Sequence, residues 1–327
     1  MRIGIYGNYK RALEVEIKVD EVYGSPSKER CIEAREKGLT YIPVIWILES
    51  HDLTEGVVDI DDKRELFAFS NSGCISNPKL RERLYRRLEE AIVLCEAPAV
   101  VVDALRYPSP HDGTTFVSCF CEYCKGHARE LDIDLDRVKE NISRLLLTLK
   151  NYPHIGLELV EALLDLIRLR QYVVGDLLRE LREQCKDMGV ELRATIFPPG
   201  LAWLVGQNYQ TIVKYVNEVH IMLYHKCTGA ACLNHELASL MQLIKELHAN
   251  EKIAFILTGI STTRSPRELE EIGIEEHVVL EEVHRARNLL GDKAVPLLWL
   301  NQTGLKLTEK LVEYEKITLF SPHHGDS

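Results

Sequence analysis

The chain has 327 residues, 46% of them hydrophobic, with 40 Lys plus Arg against 50 Asp plus Glu and a formal net charge of −10. That composition buries a large core and excludes a disordered polymer. The acid excess is spread along the chain instead of gathered into tails, which argues against nucleic acid as a partner.

Taken in chain order, β-branched and aromatic runs predict eight strands, at residues 2–6, 42–48, 66–69, 99–103, 191–197, 219–224, 253–258 and 295–300. Amphipathic stretches predict helices at 27–37, 78–95, 135–150, 156–188, 208–217, 233–249 and 275–290. Gly38 and Gly189 fall just past two helix ends, where a left-handed residue is favoured. This alternation predicts an α/β fold with a parallel sheet. Eight units in 327 residues fit a single (β/α)8 TIM barrel over residues 1–327, with an insertion at 106–152 after the fourth strand. No G-x-G-x-x-G follows the first strand and no P-loop lysine motif occurs, which disfavours the competing doubly wound sheet.

The longest apolar stretches are too short to cross a bilayer, so no membrane span is expected. The first seven residues carry no signal-peptide hydrophobic region. Nine cysteines without such a signal imply a reducing, cytoplasmic setting, where clustered thiols hold metal more often than they form disulfides.

In a barrel, function sits where the strands end at their carboxyl side. The residues expected there are Tyr6 and Asn8, then Glu49, His51 and Asp52, then Ser70, Asn71 and Cys74, then Asp103 and Arg106. Phe197 and Pro198, Tyr224 and His225, Thr258, and finally Trp299, Asn301 and Gln302 complete the mouth. Rings, amides and carboxylates with little Lys suit an uncharged polyhydroxylated ligand better than a phosphorylated one. The oligomeric state leaves no trace in the sequence.

Cys119, Cys121 and Cys124 place three thiols in six residues, close enough to converge on one tetrahedral zinc. Cys74 is the best fourth ligand, because neighbouring barrel strands bring their following loops together. His127 and His111 are nearer in sequence, and Cys95 is expected on a helix pointing elsewhere. Four readings stay open: a structural zinc pinning the long loop, a catalytic zinc with three Cys and a water, an iron–sulfur cluster, and free thiols without metal.

The run from Phe69 through Cys74 to Pro78, followed by a helix, a strand ending near Asp103 and then Cys119-Phe120-Cys121-Glu122-Tyr123-Cys124, resembles glycoside hydrolase family 42 β-galactosidases. The resemblance covers about residues 69–139. It implies a zinc held by Cys74, Cys119, Cys121 and Cys124 in a structural role. That family carries an acid/base Glu in an Asn-Glu pair after strand 4 and a nucleophilic Glu after strand 7. Here those positions read Val102-Asp103-Ala104 and Leu257-Thr258-Gly259, so the scaffold carries over and the galactosidase chemistry does not. Asp103-Ala104-Leu105-Arg106-Tyr107-Pro108 and the segment Pro199 to Tyr209 also resemble uncharacterised glycoside-hydrolase-like barrels.

Glycoside hydrolysis needs two carboxyl groups flanking the scissile bond. Asp103 is the first candidate, as nucleophile or base, since it ends an apolar strand and Arg106 would keep it ionised. The same pair would equally brace the loop. Glu49 is chosen as the second carboxylate over Asp112 and Glu122, with the solvated loop acid as its plain alternative. His51 and His225 are candidate acids or hydrogen-bond donors. Tyr6, Trp203, Tyr224 and Trp299 would offer ring faces to a saccharide, and Asn8, Asn71, Asn301 and Gln302 would bond its hydroxyls. A saccharide bound without being cleaved is the alternative function, because both family glutamates are missing.

Overall fold

The computed structural model describes residues 1–14, 16–68, 71–151 and 157–321. Eight parallel strands close into a barrel: β1 (Arg2–Gly7), β2 (Glu21–Gly24), β3 (Thr40–Trp46), β4 (Ala99–Asp103), β5 (Glu191–Ile196), β6 (Glu218–Met222), β7 (Ala294–Trp299) and β8 (Lys316–Ser321). Each strand pairs with its chain neighbours, and β8 closes on β1. The principal helices are α1 (Lys28–Glu36), α2 (Pro78–Cys95), α3 (Glu122–Glu130), α4 (Leu135–Asn151), α5 (Leu157–Asp187), α6 (Leu233–Glu246) and α7 (Glu276–Leu290). No helix among the described residues is long and apolar enough to cross a membrane.

Local chemistry explains these boundaries. Helix α2 begins where the Asn77 side chain accepts from the Lys79 amide, with Pro78 in the first turn. It buries Leu80, Leu84, Leu88, Ala91 and Ile92 at helical spacing against the sheet. Gly38 and Gly189 take φ of +70° and +69° past their helices, as expected.

The strand count is right, but two of its members are not. Segment Ile253–Thr258 is a helix, ended by Gly259 at φ +63°, with Ile256 80% exposed. Five consecutive apolar residues and a Thr fix no period, so the run fits either element. Residues 66–68 form a turn in which Phe67 bridges to Ser72, and Phe69 lies outside the described residues. The two vacated places belong to β2 and β8, which the hydrophobic pattern hid. Both open on a charged residue, Glu21 and Lys316, that faces the barrel interior.

That interior is unusually polar. Strand period places Glu21 and Tyr23, Arg193 and Thr195, Glu218 and His220, and Lys316 and Thr318 on inner faces. Arg193 reaches Glu21 at 3.1 Å and Glu218 at 3.3 Å, and Lys316 reaches Glu218 at 2.6 Å and also bonds Glu21. Except for Arg193–Glu218 on the paired strands β5 and β6, these contacts join strands that are not neighbours, so they cross the barrel near its amino-terminal end. Above them, Tyr6 stacks on Tyr23 at 4.4 Å and donates its hydroxyl to His220 Nδ1 at 2.6 Å. Burial pushes the His220 imidazole down to about 4, so it is neutral and accepts that proton.

Two cysteine pairs correct the expectation of thiols throughout. Cys31 on α1 is bonded to Cys95 on α2, and Cys227 to Cys232. Cys95 is thereby removed from metal binding for a reason more specific than its direction.

Candidate functional site

Asp103 is the last residue of β4, in register with Trp46 of β3, and half-buried at the carboxyl end of the barrel. Its Oδ1 accepts from the Ala104 amide at 2.7 Å and from the Thr195 hydroxyl on β5. Both bonds fall on one oxygen, Oδ1. Burial raises the Asp103 carboxyl above the usual carboxylate range, while the Thr195 and Ala104 bonds and, from further off, Arg106 work against that rise.

Arg106 is not the ion-pair partner of Asp103. Its guanidinium is buried, pairs with Asp112 at 3.3 Å and sits over the rings of Phe67 and Phe197. Asp112 also accepts from Ala68 and Ser109 amides at 2.9 and 2.8 Å. Ser109 in turn donates to the buried Glu236 of α6 at 2.7 Å. Arg106, Asp112, Ser109 and Glu236 therefore form one network that braces the loop after β4. The expected pairing of Arg106 with Asp103 is thereby corrected: Asp103 is the nearer acid in sequence, but the folded loop brings Asp112 to the guanidinium.

Three rings cluster at the carboxyl ends of β6, β7 and β8. Tyr224 packs edge-on to Trp299 at 5.4 Å, Trp299 onto Phe320 at 5.0 Å, and Phe320 onto Tyr224 at 5.6 Å. Burial raises the Tyr224 and Tyr6 hydroxyls above the usual tyrosine range, and the Asp103 charge adds to the rise in each. Three groups from β1, β4 and the loop after β6 thus share one electrostatic environment. Phe320 was missed in the sequence because β8 was missed.

The other candidates are placed as follows. Glu49, after β3, pairs with Arg87 of the outer helix α2 at 3.3 Å. Asn8 accepts from the Lys10 amide and Asn301 from the Gly304 amide, each starting a helix. Asp52 likewise caps a short turn through Thr54, and Glu122 pairs with Lys125 on α3. His225 is buried beside the mouth, and burial lowers its imidazole from the ordinary histidine value. Ser70 lies outside the described residues. Strand β7 ends Trp299-Leu300-Asn301, so the position at which the resembled family has its second glutamate is occupied here by neither Thr258 nor a carboxylate.

The second feature is a buried thiol cluster. The sulfurs of Cys74, Cys119, Cys121 and Cys124 all lie within 4.8 Å of one another. Cys74 is 3.7 Å from Cys121 and 3.6 Å from Cys124. Zinc–sulfur bonds of about 2.3 Å in a tetrahedron space the sulfurs about 3.8 Å apart, so the group has the size and chemistry for one such ion. Cys74 comes from the β3–β4 loop and the others from the loop after β4, as adjacency of loops predicts.

Neighbouring groups hold the cluster. The Val58 amide reaches Cys119 Sγ at 3.3 Å, and Cys124 Sγ lies 3.3 Å from Ser76 Oγ. The Cys74 amide donates to the Glu55 carbonyl at 2.7 Å. The Glu55 carboxylate is gripped by Arg83 at 2.6 and 2.5 Å and bonded by Ser50, which holds it down to about 2. Its folded pKa lies below its unfolded one, so the stability it contributes is present above about pH 4.5 and is lost as pH falls toward 2. Glu55→Gln is expected to flatten the fall of Tm across that window, and an unaltered acid limb would contradict the assignment.

No family model and no curated protein matches the chain. Among solved structures, the β-galactosidase from the psychrophilic Marinomonas ef1 matches with a TM-score of 0.59 at 8% identity, over 98% of this chain and 54% of that one. The PgaB (BpsB) glycoside hydrolase domain from Bordetella bronchiseptica matches with a TM-score of 0.57 at 9% identity, over 98% of this chain and 93% of that one. This chain spans about half the length of the β-galactosidase. Identities this low establish a shared barrel fold and leave chemistry to the site.

Proposed function

We propose that the chain is a glycoside-hydrolase-like barrel that cleaves a saccharide at its carboxyl-terminal mouth, with Asp103 as the reacting carboxyl group. The observation that carries this is a half-buried, upward-shifted carboxyl that interacts electrostatically with Tyr224, whose ring packs in turn on Trp299 and Phe320. Aromatic rings together with a few placed polar groups are how a neutral sugar is held. The upward shift suits proton donation to a leaving oxygen, whereas the nucleophile or base role rested on an Arg106 pair that belongs to Asp112. Tyr6 and His225 edge the same region, and Arg106, Asn8 and Asn301 shape its loops. The names of the two matched structures, a β-galactosidase and a glycoside hydrolase domain, agree with a saccharide substrate.

Cys74, Cys119, Cys121 and Cys124 hold a structural zinc in this reading, because four thiolates fill a tetrahedron and leave no open position for substrate. Residues 1–327 form one barrel domain, elaborated over 106–152.

A second reading, binding without cleavage, is favoured by the outward pairing of Glu49 with Arg87. Glu49 remains the proposed second carboxylate only if that pair opens. Incubation with a panel of chromogenic glycosides and natural oligosaccharides separates the two: released product supports the enzyme, and saturable binding without product supports the binder.

A further inference from the structure

We propose that Arg170 is the counter-ion of the four-cysteine centre, a buried cation whose charge offsets the excess negative charge of a metal held by Cys74, Cys119, Cys121 and Cys124. The inference rests on the metal reading above and concerns a residue outside the ligand set.

Among the described residues four arginines are buried: Arg81, Arg106, Arg170 and Arg193. Three have carboxylates. Arg81 pairs with Asp176 and Glu180, Arg106 with Asp112, and Arg193 with Glu21, Glu191 and Glu218. Arg170 forms no ion pair with a carboxylate among the described residues. Its Nε donates to the Ser118 carbonyl at 2.9 Å, Nη1 to Leu204 at 2.7 Å, and Nη2 to Phe116 and Ser118. Carbonyl dipoles satisfy its N–H groups and leave its charge unmatched, which is costly away from water.

The missing anion is close at hand. Ser118 directly precedes Cys119. The Arg170 guanidinium lies 5.4 Å from the Tyr107 ring, and the Tyr107 hydroxyl is 3.7 Å from Cys124 Sγ. A divalent ion bound by four thiolates carries a net charge of about −2. Interior charges at such range interact strongly, so cation and centre compensate each other. Arg170 also ties the loop bearing Cys119 to Leu204, in the loop after β5, which places the metal centre and the barrel mouth on one framework.

The test is zinc affinity of the full chain, by competition with a chromophoric zinc chelator, for wild type, Arg170→Met and Arg170→Lys. Charge compensation predicts that Arg170→Met weakens zinc binding about 10- to 100-fold, as loss of an outer partner does, while Arg170→Lys stays within about threefold of wild type. In a Cys121→His background the centre is less negative, and the penalty of Arg170→Met should shrink by about tenfold. Equal affinity of Arg170→Met and wild type overturns the proposal, as does Arg170→Lys being as damaging as Arg170→Met. Should Arg170→Met fail to fold, Arg170→Lys decides alone: wild-type-like affinity supports the role and a tenfold loss rejects it. Wild type that binds no zinc rejects the metal reading itself, and this proposal with it.

Discussion

Asp103→Asn is expected to lower turnover of any glycoside the protein cleaves by about 10²- to 10⁴-fold, the usual worth of a positioned proton donor. The amide keeps the shape of the carboxyl, and its oxygen can still accept from Thr195 and the Ala104 amide. What it lacks is a proton to give. Folding should survive, with little change in Tm. Because burial raises the Asp103 carboxyl, the alkaline limb of kcat/KM should lie above the ordinary carboxylate range and be absent in the variant. Wild-type-like turnover in Asp103→Asn, or an alkaline limb that persists in it, rejects Asp103 as the acid.

Removal of the metal should be the largest perturbation of stability. Purified protein is expected to hold about one zinc per chain, and Cys121→Ser to abolish it and lower Tm by roughly 10 °C. Cys74 and the other three ligands come from separate loops, so a bound ion would add a crosslink to the hydrogen bonds that already join the β3–β4 and β4–β5 loops, such as Phe120 to Val58 and Ala68 to Asp112. Protein that contains iron, or four freely titrating thiols and no metal, contradicts this.

The thiol cluster was legible in the sequence because three of its members sit in six residues and the fourth follows from barrel adjacency. Asp103 was legible because it terminates four consecutive apolar residues of β4. Strands β2 and β8 were not, since inward-facing Glu21 and Lys316 break the apolar pattern that marks a barrel strand, and their burial depends on Arg193 and Glu218 far away in sequence. Segment Ile253–Thr258 shows the converse: an apolar run partly exposed on a helix. Long-range pairing also decided the fate of individual carboxylates. Nothing near Glu49 in sequence announces Arg87, and Asp112 competes for Arg106 only once the loop after β4 is folded against α6. The Cys31–Cys95 bond spans 64 residues and has no local signature.

The most direct test of a saccharide site at the barrel mouth is equilibrium binding of a panel of neutral oligosaccharides to wild type and Trp299→Ala, measured calorimetrically. At least one member should bind wild type, and loss of the Trp299 ring should weaken it about tenfold or more, since the indole supplies both apolar area and the wall that orients Tyr224. Absence of binding across the panel, or binding that Trp299→Ala leaves unchanged, would contradict it.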